Sequence, residues 1–202
     1  MLVPYQIAVV ASGRGSNLKA LLHALEGEAI AQVAVVIGHS ASVGALGIAR
    51  SHLVPTVVIA EANDTRAWLA TLEAFKVDLV VLAGYLKLVP PAVVEAYRGR
   101  IINIHPALLP KYGGRGMYGD RVHRAVLDAG ETISGATVHL VSEEYDKGST
   151  LAQATVPVRG DDTPESLAEK VLGVEHRLLP QAVLRAAQAG RPVPFDFEEN
   201  GL

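Results

Sequence analysis

The chain has 202 residues, half of them hydrophobic, a formal net charge of −3 and no cysteine. That length fits one compact domain with ample material for a core. Without thiols there is no disulfide framework, thiolate metal site or cysteine nucleophile, and the mild charge argues against a nucleic-acid partner or an anionic membrane surface.

The first 100 residues alternate in pattern. "YQIAVVA" is strand-like, and "SNLKALLHALEG" has helical spacing and stops at Gly27. "IAQVAVVIG" is strand-like, "VGALGIARSHL" helical and "PTVVIA" a short strand. "DTRAWLATLEAFK" is helical with Asp64 as its N-cap, and "DLVVLAG" is a strand. These strands are continuous apolar runs, which implies burial on both faces. Strand and helix in alternation predict a Rossmann-like α/β fold: a mostly parallel twisted sheet with helices on both faces. Ligands of such sheets sit at the carboxyl ends of the strands.

After residue 110 the pattern changes. "KYGGRGMYGD" is a glycine-rich loop and "RVHRAVLDAG" a short helix closed by Gly130. "SGATVHLV" alternates, as a half-exposed strand would, and "STLAQATVPV" is another strand. Residues 163–189 form a long helix with Thr163 and Pro164 at its start, Gly190 at its stop and an expected kink at Pro180. The C-terminal part therefore adds a mixed or antiparallel strand and a long helix to the sheet. The tail from residue 191 to 202 is expected to be loose or to lie on the surface.

The beginning "MLVPYQIAVVASG" carries no basic leader, and its apolar run is too short for a secretory signal. The longest apolar stretch, residues 77–94, is broken by Lys87 and two prolines and cannot span a bilayer. The expectation is a soluble, cytoplasmic protein.

"VVASGRGSNLKAL" places Gly13 and Gly15 directly after the first strand, with Ser16 and Asn17 opening a helix. Free amides at a helix start attract a phosphate, and glycine lets the backbone approach it. The plainer reading is a tight strand-to-helix turn with an ordinary cap. A dinucleotide site fits less well, because the loop is not G-x-G-x-x-G and the second strand ends in "VIGHS" with no acid for a ribose. A P-loop is excluded, since G-K-[ST] is missing.

"IINIHPALLP" interrupts an apolar strand with Asn103 and His105. Residues i and i+2 of a strand share a face, so the two side chains point the same way. They would either cap loop amides at a fraying strand end or aim at one carbonyl. In the second case Asn103 donates to a developing oxyanion and a protonated His105 adds charge or a proton. A nearby carboxylate would favour that protonation. Asp146, in "SEEYDKGS", is the most suggestive candidate, although Asp-Lys-Gly is also a plain turn. No histidine or carboxylate spacing suits a metal ion, and the G-x-S-x-G serine nucleophile motif is absent.

Taken together, "SGRGSNL", "LAGYLKLV", "INIHPALLPKY", "GATVHLV" followed by Asp146, and "VEH" resemble the phosphoribosylglycinamide formyltransferases of purine biosynthesis. The likeness runs in order over nearly the whole chain. The N-x-H-P-x-L-L-P segment belongs to the wider superfamily of folate-dependent formyl transferases and hydrolases. The resemblance implies a single formyltransferase domain over residues 1–202. Residues 1–100 would be a phosphate-binding half, 101–190 a catalytic and folate-binding half, and 191–202 a tail. It implies transfer of a formyl group from 10-formyltetrahydrofolate, a co-substrate, to the amine of glycinamide ribonucleotide, without a metal. By the same resemblance Asn103 steadies the formyl oxygen and also contacts the folate. His105 is the general acid, and Asp146 raises the pKa of His105 and orders a proton-shuttling water. Gly13, Gly15, Ser16, Asn17, Leu18 and Lys19 form the phosphate cradle, and Glu175 contacts the ribonucleotide. Leu86, Lys87, Leu88 and Val89 line the pterin pocket, and Arg66 lies near the cofactor. His139 matches a family histidine and is taken as structural. The Leu109-Pro110 bond can be cis, as a nearby proline of the family often is.

Two departures stand out. Relatives often read K-Y-P-G-x-H where this chain has the longer "KYGGRGMYGDRVH", and G-G-P or T-G-P where it has "KGST". The first leaves contacts from Arg115 to His123 unassigned by analogy. Alternatives from other classes are hydrolysis of 10-formyltetrahydrofolate, methionyl-tRNA formyl transfer and a non-catalytic nucleotide-binding module. The expected partners are small molecules, with a monomer or homodimer as the assembly.

Overall fold

The computed structural model describes residues 3–199. One seven-stranded sheet organises the chain, in the order β3-β2-β1-β4-β5-β6-β7. The strands are β1 (Tyr5–Ala11), β2 (Ala31–Gly38), β3 (Thr56–Val58), β4 (Leu79–Leu82), β5 (Ile101–His105), β6 (Ile133–Leu140) and β7 (Thr150–Pro157). The first five pair in parallel, and β6 and β7 run antiparallel to their neighbours. The helices are α1 (Ser16–Ala24), α2 (Gly44–Ser51), α3 (Thr65–Ala74), α4 (Pro91–Ala96), α5 (Asp120–Asp128) and α6 (Pro164–Ala189).

The continuous apolar strands are buried from both sides, as their pattern requires. Ile7, Val9 and Ala11 of β1 join a core built with Leu18, Leu21, Leu46, Leu167, Val171 and Leu178. The alternate residues Ala8 and Val10 join a second core around Trp68, Leu72 and Val93. Thus α1, α2 and α6 cover one face, and α3 and α4 the other.

The helix signals act as written. Asp64 accepts a hydrogen bond from the Ala67 amide at 3.0 Å. Thr163 and Ser166 form a reciprocal capping box at the start of α6, and Gly190 ends it in the left-handed conformation. The helix continues as one element through Pro180. Helix α4 was not anticipated: Pro91 sits at its first turn, where a missing amide proton costs nothing.

Two expectations need correction. Strand β6 is not half-exposed, because Ser134 through His139 are all buried. Helix α6 packs on the strand. In addition, the chain after β5 folds over it, with Thr137 Oγ1 donating to the Ala107 carbonyl at 2.6 Å and accepting from the Leu109 amide at 3.1 Å. For the tail, only the loose alternative fails up to residue 199: the segment lies on the surface and is docked there. The Phe195 amide bonds the Leu151 carbonyl of β7 at 2.9 Å. Gln181 on α6 donates to the Glu198 carbonyl at 2.6 Å, and Phe195 and Phe197 pack against the core. Residues 200–202 lie outside the described part. The Leu109-Pro110 peptide is cis.

Candidate active site

A cleft of about 400 Å³ opens at the carboxyl ends of β4 and β5, reaching Asn17 at the start of the helix that follows β1. Strand order reverses between β1 and β4, which is where open α/β sheets leave a crevice. Strand β5 supplies the polar floor. Its Ile102 and Ile104 enter the first core, so alternation turns Asn103 and His105 to the opposite face and into the cleft. Asp146 reaches the same place from the loop after β6. Its backbone is in the left-handed region at φ 56°, uncommon for a residue with a side chain.

These groups form a connected network. His105 Nδ1 lies 3.6 Å from Asp146 Oδ2. His139 Nε2 lies 3.4 Å from Asp146 Oδ1 and 3.1 Å from Asn103 Nδ2. His139 Nδ1 donates to the Leu140 carbonyl at 2.8 Å, so in the neutral ring Nε2 accepts from Asn103. The other proton of the Asn103 amide stays free for a ligand. His105 Nε2 faces the Tyr112 carbonyl at 2.8 Å, which can only accept, so this nitrogen carries a proton. The Gly114 amide donates to Asp146 Oδ2 at 2.8 Å.

Burial sets the charges. It pushes His105 below the ordinary histidine value, and the pull of Asp146 and the Tyr112 carbonyl in the opposite direction does not overcome it. Desolvation is the larger effect, so the His105 pKa lies below the ordinary value despite the opposing pull of Asp146, and the ring is neutral near pH 7. Burial lifts the Asp146 carboxyl, yet the neighbouring His139 and His105 rings and the Gly114 amide outweigh it and hold the group below its usual value. The result is a neutral imidazole beside an ionised carboxylate.

The glycine turn after β1 makes the second wall. Gly15 is the N-cap of α1, left-handed at φ 88°. A Cβ there would lie 2.7 Å from Ala45 Cα, so the glycine is required by the packing of α2. No side chain caps α1, and its first amides are left open. Asn17 instead donates to Glu175 Oε2 of α6 at 2.7 Å, and its own Oδ1 is buried without a partner. Burial lifts the Glu175 carboxyl to about 7, against the opposing Asn17 bond.

Of the candidates, Asn17, Leu86, Lys87, Leu88, Val89, Asn103, His105, Asp146 and Glu175 line the cleft. Gly13 and Gly15 lie on the adjoining turn, Ser16 and Lys19 in the first turns of α1, and Leu18 is wholly buried in the core. Arg66 is exposed at the start of α3, away from the cleft lining. His139 was taken as structural, yet it links Asn103 to Asp146. The link arises from the register that sets Asn103 opposite His139 across β5 and β6. Tyr85 and Tyr145 also line the cleft, and burial and the Tyr145 neighbour push the Tyr85 hydroxyl up to about 12. Among the described residues, no group of three or more His, Asp or Glu is placed to hold a metal ion.

The fold and the cleft define an open α/β-sheet protein with a cluster of hydrogen-bonding groups at its topological switch point. The chain belongs to the formyl transferase family, whose model matches residues 5–183. It is 42% identical over 186 residues to the chloroplastic phosphoribosylglycinamide formyltransferase of Arabidopsis thaliana; the match covers 88% of this chain and 64% of that protein, less than two thirds of its length. It is 35% identical to the phosphoribosylglycinamide formyltransferase of Haemophilus influenzae, over 88% of this chain and 85% of that one. The crystal structure of phosphoribosylglycinamide formyltransferase from Anaplasma phagocytophilum superposes with a TM-score of 0.85 at 37% identity, covering 92% of this chain and 88% of that one.

Proposed function

We propose that the protein transfers the formyl group of 10-formyltetrahydrofolate to the amine of glycinamide ribonucleotide, in purine biosynthesis. The observation that carries this reading is the convergence of Asn103, His105 and Asp146 on one end of the cleft. The named activity of the relatives in Arabidopsis and Haemophilus supports it.

The formyl donor is an activated amide, so positioning and oxyanion stabilisation can supply most of the rate. The amine nitrogen bonds the formyl carbon, and the oxygen becomes an oxyanion that accepts a hydrogen bond from the free N–H of Asn103. Neutral His105 takes the proton released by the amine. It returns that proton to N10 of the folate as the carbon–N10 bond breaks. His105 thus enters as a base and leaves as the expected general acid. Asp146 holds the transient imidazolium by charge. Tetrahydrofolate departs, atoms and charge balance, and no metal takes part.

The open amides at the start of α1, from Ser16 to Leu18, beside the Gly13–Gly15 turn, suit the ribonucleotide phosphate, with the Lys19 side chain nearby. Asn17 Oδ1 and Glu175 offer acceptors to the rest of that substrate. Leu86, Leu88 and Val89, with Lys87 at the rim, suit the folate ring system, and Arg66 lies outside the cleft lining and is a poorer candidate for folate contact. The phosphate-binding and catalytic halves share one sheet and act as one domain. No described helix is long and apolar enough to cross a membrane.

The test is to incubate the protein with 10-formyltetrahydrofolate, with and without glycinamide ribonucleotide, and follow loss of the formyl group optically. Turnover that requires the ribonucleotide is expected. Turnover without it would mean hydrolysis. Binding of both ligands with no turnover would leave a binding module.

A further inference from the structure

The longer glycine-rich loop after the cis proline touches both members of the His105–Asp146 pair. The Tyr112 carbonyl accepts from His105 Nε2 at 2.8 Å, and two residues on, the Gly114 amide donates to Asp146 Oδ2 at 2.8 Å. Both are shorter than the 3.6 Å between the pair itself. Tyr112 and Gly114 have positive φ, 57° and 100°. A Cβ at Gly113 would stand 2.5 Å from Leu109 Cδ2 and 3.1 Å from Asp146 Cβ. The turn is therefore pressed against the carboxylate residue, and a side chain at 113 would have to displace the Leu109 tip and crowd Asp146. From outside it is tied down by Glu131, whose Oε1 accepts from Tyr112 Oη at 2.8 Å and from Lys111 Nζ at 2.7 Å.

We propose that the Tyr112–Gly114 turn is a positioning clamp: its carbonyl fixes the proton of His105 on Nε2, its amide fixes Asp146, and Nδ1 is thereby the atom that takes and gives the reacting proton. The proposal rests on the formyl-transfer reading of this cleft. A carbonyl acceptor cannot tolerate a bare imidazole nitrogen facing it, so the neutral ring has one allowed tautomer. The lone pair of that tautomer is on Nδ1, on the Asp146 side. Proton uptake there places the charge beside the carboxylate, 3.6 Å from Asp146 Oδ2 and beyond hydrogen-bond distance, so the cation is stabilised as it forms while its N–H stays available to the substrate. Nε2 never exchanges its proton and serves only as a pivot. Tyr112, Gly113 and Gly114 act through His105 and Asp146, so they are positioning residues.

The first measurement is the tautomer of His105, read from side-chain 15N shifts in histidine-labelled protein without substrates and assigned by the loss of its signals in His105→Gln. Protonated Nε2 and bare Nδ1 are expected, with the added proton on acidification arriving at Nδ1. A neutral ring protonated at Nδ1 overturns the proposal. The second measurement is Gly113→Ala. Displacing a reacting group by a fraction of an ångström to an ångström costs on the order of 10- to 100-fold in rate. We expect a loss of that size in kcat, KM for both substrates within about twofold, and a displaced acid limb of the pH–rate profile. The profile is compared with wild type because His139 and His123 also act on the pair electrostatically. A loss confined to KM, or unchanged kcat and pH profile in a folded variant, overturns the clamp. Should Gly113→Ala fail to fold, Glu131→Gln loosens the same turn from its outer anchor and should move kcat and the pH profile in the same direction by a smaller factor. A wild-type protein that shows the Nε2–H tautomer but no formyl transfer overturns the functional reading itself, and with it the catalytic part of this one.

Discussion

Asn103 carries two amide protons, and His139 commits only one of them. The same contact decides which end of the amide faces the ligand, since exchanging O and N would set an oxygen against the bare His139 Nε2. A single oxyanion donor is typically worth a factor of about 100 to 1000 in rate. Asn103→Ala should lose that much kcat with both ligands still bound, as checked by steady-state kinetics beside direct titration of each ligand. His139→Ala should fall less far, because the donor remains and only its orientation is freed. An equal loss in the two variants would mean that His139 does more than orient. The Asn103 and His105 pair was legible from two polar letters in an apolar strand. The role of His139 was not, because its partner is 36 positions away and register between antiparallel strands is not written locally.

At the level of elements, the alternation of strands and helices was plain because each parallel strand is an unbroken apolar run buried on both faces. Failures came where tertiary cover overrides local pattern. Strand β6 alternates in sequence yet is buried, since a helix and a returning loop cover its two sides. Helix α4 was hidden because its opening Pro90–Pro91 reads as a break. The caps of α3 and α6 were readable, that of α1 was not, and two helix starts make predictions. Thr163→Ala removes one half of the α6 capping box and should cost about 1 kcal/mol, seen as a lower urea midpoint with unchanged slope. Gly15→Ala combines a left-handed backbone with a 2.7 Å approach to Ala45 Cα. It should cost more than the roughly 1 kcal/mol of the backbone alone, and it should also weaken binding of the phosphate-bearing substrate. A variant as stable as wild type would mean that α2 can retreat without loss.

Across the whole molecule, buried titratable groups pull stability in two directions. His105 and His123 are held below the ordinary value of 6.5 mainly by burial, and burial alone does the same to His176. The unfolded chain therefore binds protons at these positions first, and stability falls as pH drops below about 6.5. Glu175 does the opposite. Its carboxyl is lifted from 4.5 to about 7, so the folded state holds the proton more tightly and stability declines as pH rises across that interval. Glu175→Gln abolishes the second effect. Relative to wild type, the variant should gain stability between pH 4.5 and 7, by up to about 3 kcal/mol for the full shift, and should lose stability more steeply on acidification. Denaturant titrations of both proteins at several pH values would show it, and a pH-independent difference would contradict the buried carboxyl. The docked tail has a consequence for how molecules of this protein meet one another. An open sheet ends in two unpaired strands, each a template for a strand from another copy. At one side the template is only three residues long. At the other it is eight residues long, but Phe195 already occupies the Leu151 carbonyl. Removing the chain from residue 192 onward should free that edge, and concentration-dependent light scattering should rise in the shortened protein before any change in its cleft is felt.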